Sequence, residues 1–107
     1  MRDNLFMDDV MDAFDHAIQN IQKIKGEVIN VASGTQHSIA EIVAMAQKIT
    51  GLKFEVIYGT LPLTKSESKM WVADISKAER LLGWKPTRTL EEGLTAYVQW
   101  AKDKIVK

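Results

Sequence analysis

Apolar residues recur along the first part of the chain at helical spacing. From Asp8 onward, Val10, Phe14, Ala17, Ile21 and Ile24 are separated by four, three, four and three positions, which puts them on one helix face. Asp8, Asp9 and Asp12 stand at the start of this helix, where its dipole favours negative charge. Lys23 and Lys25 stand at its end, and Gly26 can terminate it with a positive φ. A second helix starts at Ser38, whose S-x-x-E spacing to Glu41 is a capping box. Its stripe is Ile39, Ile42, Val43, Ala46 and Ile49, and Gly51 stops it. A third, shorter helix runs from about Asp74 to Leu82, capped by Asp74 or Ser76. Ala78, Leu81 and Leu82 face inward, Gly83 closes the helix and Pro86 blocks its continuation. A fourth starts with Thr89 and Glu92 and buries Leu90, Leu94, Tyr97, Val98, Ala101 and Ile105.

Two stretches have strand character. Residues 28–31 are a short β-branched run broken by Asn30, and residues 53–58 alternate up to Gly59. Residues 5–7 can add a short edge strand. Between Gly59 and Trp71 lies an irregular polar segment, TLPLTKSESKM. A loop of this length in a compact domain is usually functional or mobile. The strand–helix–strand unit from Glu27 to Tyr58 suggests parallel strands with a right-handed crossover. The expected fold is α/β: about four helices with a short, mainly parallel, two- to three-stranded sheet. Residues 1–107 form a single domain.

Composition narrows the function. Lysine plus arginine number 14 and aspartate plus glutamate 14, so no field favours nucleic acid or an anionic membrane. No apolar run approaches the roughly 18 residues of a membrane span. The N-terminus, MRDNLFMDD, has no apolar segment of a secretory signal. There is no cysteine, which excludes disulfides and thiolate sites and suits a cytoplasmic location. His16 and His37, the two histidines, lack partners at metal-ligand spacing, so no metal site is expected. The acidic group Asp8, Asp9 and Asp12 is better explained by the helix dipole than by a cation. Trp84 is expected to pack the Gly83 turn onto the core, Trp100 to cover a flank, and Trp71 either to anchor the core or to stack on a base or sugar. A dinucleotide site needs a glycine-rich strand-to-helix turn. The only candidate, Val31-Ala32-Ser33-Gly34-Thr35, has one glycine, which simply lets the chain turn.

Four segments in order resemble the C-terminal, substrate-binding region of NAD-dependent epimerases/dehydratases, sugar-nucleotide-modifying members of the extended short-chain dehydrogenase family. They are RDNLFMDDVMDAF (residues 2–14), GEVINVASGTQHSIAEI (26–42), ADISKAERLLGWKP (73–86) and TLEEGLTAYVQWAK (89–102). The third is the most specific: the aspartate, the SKA step, the leucine pair and the GW-x-P ending recur in that order. The resemblance implies that a Rossmann half carries NAD(P) and a catalytic Y-x-x-x-K pair, while this part closes over a nucleotide-sugar. Neither Tyr58 nor Tyr97 has a lysine four residues on. No catalytic or cofactor-binding residue is therefore expected here, and the chain alone should be inactive.

The resemblance also implies binding residues. Arg2 matches the family arginine on the substrate diphosphate, a task suited to a planar guanidinium. Asn4 matches a side chain near the same phosphates or ribose. Glu67 matches an acidic residue near the ribose, and Trp71 a bulky residue of the sugar-nucleotide pocket. The loop resembles a G-x-L-P-x-R-x-x-E pattern, but Thr64 occupies the arginine position. Lys65, beside it, either substitutes as a point charge without a bidentate fork or is, like Lys69, a solvated loop lysine. Without the Rossmann half, residues 5–7 and 71–72 should lie bare, and the chain should self-associate as a homo-oligomer such as a dimer. The alternatives are a stand-alone α/β interaction module and a subunit that completes a site made by another chain.

Overall fold

The computed structural model describes residues 1–59, 62 and 69–105. Four helices carry the architecture: α1 (Met7–Gln19), α2 (Ile39–Thr50), α3 (Ser76–Leu82) and α4 (Leu90–Lys104). Four of their boundaries follow from local chemistry. The Ser38 hydroxyl accepts from the Glu41 amide at 3.1 Å while Glu41 accepts from the Ser38 amide at 2.9 Å, the full reciprocal box. Thr89 caps α4 in the same way through the Glu92 amide. Gly51 and Gly83 end α2 and α3 in the left-handed conformation. The third N-terminus departs from expectation. Ile75 is the N-cap of α3 without a side-chain bond, and Asp74 instead accepts from the Ser76 amide at 2.9 Å. The first helix is also shorter than its periodicity suggests, ending at Gln19 with a series of turns to Gly26.

The expected sheet is not present among the described residues. Residues 28–31 and 53–58 join no ladder, and residues 5–7 lead directly into α1. The single β feature is an antiparallel bridge between Arg2 and His37, with both N···O distances 2.9 Å. The reason is physical: alternation marks a segment fit for a sheet, but a strand exists only when a neighbour supplies the other half of its hydrogen bonds.

The helices pack as two pairs, α1 with α3 and α2 with α4. The α1–α3 pair holds the core: Ala13, Ala78, Leu82 and Trp84, with Leu5, Ala17, Ile24 and Ile29 half-buried around it. Trp84 packs the Gly83 turn onto this core as the sequence suggests, and its indole N–H donates to the Asp9 carbonyl at 3.0 Å. The His16 ring Nδ1 lies 3.0 Å from the Leu82 carbonyl oxygen and ties α1 to the end of α3. A glycine inside α4 costs helix propensity of about 1 kcal/mol. Gly93 is there because a Cβ would stand 3.1 Å from Cβ of Phe6, so its bareness lets the segment before α1 lie on α4.

The faces of α1 correct the sequence reading. Phe14 is 61% exposed and Ile21 is also exposed, although the periodicity places both inside. The helix instead turns Asp9, Ala13 and Ala17 inward. Asp9 is fully buried, and its carboxylate accepts from Thr87 Oγ1 (2.9 Å), the Arg88 amide (3.2 Å) and Arg88 Nη1 (2.7 Å). Its partner is thus a guanidinium nearly eighty residues away in sequence, more specific than the helix dipole. On α4, Tyr97 and Ile105 are exposed rather than buried, and Tyr97 stacks on Trp100 with ring centroids 5.7 Å apart. On α2, Ile39 is likewise exposed.

Size confirms how open the packing is. The radius of gyration is 16.7 Å, against about 13 Å for a compact domain of this length. The surface is 8310 Å², against about 6,000 Å² for a compact monomer of this mass. The molecule measures 50 × 40 × 18 Å, a slab under two helices thick. Met7, Met11, Phe14 and Ile18 form a bare apolar stripe along α1, and exposed Ile21 follows in the turns after it.

Candidate functional site

The segment before α1 brings the site together. The bridge to His37 fixes the backbone of Arg2 beside the entry to α2. The Arg2 guanidinium lies over the Trp71 ring at 5.6 Å from the centroid, a cation–π arrangement. Arg2 Nη1 also donates to the Met1 carbonyl at 3.2 Å. Trp71 is 58% exposed, so it is not a core anchor. Val72 and Met7 are exposed as expected, whereas Leu5 and Phe6 are half-buried. Asn4 is exposed two residues from Arg2. The structure therefore juxtaposes Arg2 and Trp71, while Asn4 lines the neighbouring groove. Lys65 and Glu67 lie outside the described residues.

Asp3 carries no expectation in the sequence, yet it organises this region. Oδ1 accepts from the Ser33 amide at 2.8 Å and from the Ser33 hydroxyl. Oδ2 accepts from the Gly34 amide at 3.0 Å and the Ala73 amide at 3.3 Å. Burial raises the carboxyl pKa, but the hydrogen bonds from Ser33, Ala73 and Gly34 outweigh it and hold the group below the ordinary aspartate value. No local signal reveals these partners, because they stand 30 to 70 residues away.

This geometry also decides how a dinucleotide fits. A pyrophosphate needs outward-facing backbone amides at a glycine turn. The amides of Ser33 and Gly34 are already donated to the Asp3 carboxylate, which has the same charge as the phosphate they would hold. A Cβ at Gly34 would meet Ile75 at 3.2 Å, so this glycine serves chain packing as well as its positive φ of 76°. The turn does not fit NAD.

A mainly apolar groove of about 860 Å³ lies on the other side of Asn4. Asn4, Phe6, His37, Met45, Arg88 and Tyr97 are among its walls, whereas Arg2 and Trp71 are not. The groove is chemically poorer for a diphosphate than the Arg2–Trp71 cluster. Its guanidinium, Arg88, is committed to Asp9 and lies over the Phe6 ring at 5.7 Å. His37 faces Glu41 at 3.4 Å. No grouping of His, Cys, Asp and Glu able to hold a metal ion occurs among the described residues. Nor is any helix among them long and apolar enough to cross a membrane.

Comparison with known proteins places the fold. The family model for GDP-mannose 4,6 dehydratase matches residues 1–97. A UDP-glucuronate 4-epimerase of Thermodesulfobacterium geofontis is 34% identical over 105 residues, 97% of this chain and 31% of the relative. Among solved structures, a UDP-glucose 4-epimerase of Thermotoga maritima with UDP-glucose superposes with a TM-score of 0.84 at 30% identity. That match covers 96% of this chain and 32% of the epimerase. A UDP-glucuronic acid 4-epimerase of Bacillus cereus in complex with NAD gives a TM-score of 0.70 at 35% identity, over 95% of this chain and 30% of that one. The chain spans about a third of the length of these relatives. With nearly its whole length matched, this chain belongs to the family of NAD-dependent sugar-nucleotide epimerases and dehydratases within the extended short-chain dehydrogenases.

Proposed function

We propose that this chain is the C-terminal, substrate-binding portion of a cytoplasmic nucleotide-sugar epimerase or dehydratase, catalytically incomplete alone. The observation that carries this reading is the Arg2 guanidinium stacked over an exposed Trp71 ring. Arg2 supplies the charge and planar donors for a diphosphate. Trp71 supplies an aromatic face for the nucleoside or sugar. The family resemblance adds Lys65, as a point charge, and Glu67, as an acidic partner for the ribose. The chain's own groups then grip the nucleotide end of the ligand. The hydride carrier and the proton-transferring residue come from elsewhere.

The α1 stripe supports the second half of this proposal. An apolar face of four large residues, on a slab with roughly a third more surface than a compact monomer of its mass, is a surface made to be covered. The relatives are about three times as long as this chain, and the remainder of such an enzyme is the cover that fits it. In its absence two copies cover each other.

Calorimetric titration of the 107-residue chain with UDP-, dTDP-, CDP- and GDP-sugars tests the binding role. At least one should bind saturably, and Arg2→Ala should weaken it by about ten-fold or more, as expected for loss of charge-assisted hydrogen bonds. Equal heats from all four, unchanged by Arg2→Ala, would leave an interaction module without a ligand as the better reading.

A further inference from the structure

We propose that Asp3 is the positioning residue of the substrate site: its carboxylate ties the segment carrying Arg2 to the segment carrying Trp71 and so sets their stacking. The proposal rests on the reading of Arg2 and Trp71 as sugar-nucleotide ligands. The two segments run side by side, with the Met1 nitrogen bonded to the Lys69 carbonyl at 2.9 Å and Asp3 Oδ2 accepting from the Ala73 amide at 3.3 Å. The Arg2–Trp71 stack lies between these two links. The same carboxylate reaches the Ser33-Gly34 turn through three further hydrogen bonds. One side chain therefore fixes three strands of chain that are distant in sequence, and the stack inherits its geometry from them.

The chemistry requires a carboxylate. Four donors converge on Asp3, and an ionised carboxylate offers about four acceptor sites and no proton. An asparagine would turn one edge into an NH₂ group facing an N–H, so an isosteric exchange breaks contacts to at least one of the two segments. A buried amide left without its acceptor would add its own cost. Arg2 and Trp71 would remain in the chain, but no longer at a fixed separation.

The test uses the intact chain labelled with 5-fluorotryptophan, with the Trp71 resonance assigned by Trp71→Phe. In Asp3→Asn the Trp71 fluorine line should shift or broaden, while the lines of buried Trp84 and of Trp100 stay in place. UDP, used as the probe, should bind about ten-fold or more weakly. Should Asp3→Asn fail to fold, Ser33→Ala removes one of the four bonds and should move the Trp71 line in the same sense by less. A Trp71 line unmoved in the folded variant, or UDP affinity unchanged, overturns the proposal. If the unaltered chain binds none of UDP, dTDP, CDP and GDP, the functional reading fails, and the Trp71 line still decides whether Asp3 holds the two segments.

Discussion

Asp9→Ala should leave little folded chain at room temperature. Asp9 is fully buried, and its removal leaves the Thr87 hydroxyl without this acceptor and the Arg88 guanidinium with only Asp12, 3.9 Å away. Breaking a fully buried pair costs about 3–5 kcal/mol, and with Arg88 35% exposed the lower end of that range applies. Small domains have about that much stability in total when their cores are thin, and the core here is Ala13, Ala78, Leu82 and Trp84. The side chain links α1 to the segment entering α4, so its loss separates the two helix pairs. Acid should act on the same contact. Burial raises the Asp9 carboxyl pKa, but the hydrogen bonds from Thr87 and Arg88 more than offset this and lower it on balance. Asp3 is lowered in the same direction. A carboxyl lowered in the folded state contributes its stability in full above the unfolded value of about 3.9. That contribution is lost as the pH falls through the folded value. Circular dichroism should therefore show unaltered chain losing helix as the pH falls below the ordinary aspartate range, and Asp9→Ala already much less stable to urea at pH 7. A variant as stable as the parent at pH 7 would contradict the network's role.

Replacing Phe14 and Ile18 together by glutamate should convert a self-associating chain into a monomer. Ile18 is 70% exposed and Phe14 61%, so neither substitution disturbs packing within one copy. At an interface, however, two unpaired carboxylates would have to be buried, a penalty of several kcal/mol each. The stripe's association has no counterpart of that size. Light scattering at micromolar concentration should report a dimer or larger species for the parent and one chain mass for the double variant. Helix content should not fall, because glutamate is a good helix former. A parent that is already monomeric would remove the argument that α1 is a docking face.

How much of this was legible in the sequence depended on range. The caps at Ser38 and Thr89 and the glycine stops at Gly51 and Gly83 are decided within four residues, and the structure shows each as the pattern suggests. The inward side of α1 was not legible. That helix has apolar residues on much of its circumference, and the face turned inward was settled by Arg88 and Trp84, which lie far along the chain. The same holds for the strands. Residues 28–31 and 53–58 have β-branched, alternating sequences, yet a ladder also needs a partner. Of the site, Arg2, Asn4 and Trp71 followed from family resemblance, and the structure adds that Arg2 and Trp71 meet. Asp3 was silent because its four donors come from Ser33, Gly34 and Ala73, none of them near it in sequence.

The central claim is that these residues hold the nucleotide end of a ligand and not the nicotinamide cofactor. Equilibrium dialysis of the purified chain against NAD tests it most directly. With the Ser33 and Gly34 amides committed to Asp3, no saturable uptake of NAD is expected at millimolar concentration. Retention of one NAD per chain, with no other protein present, would contradict the account.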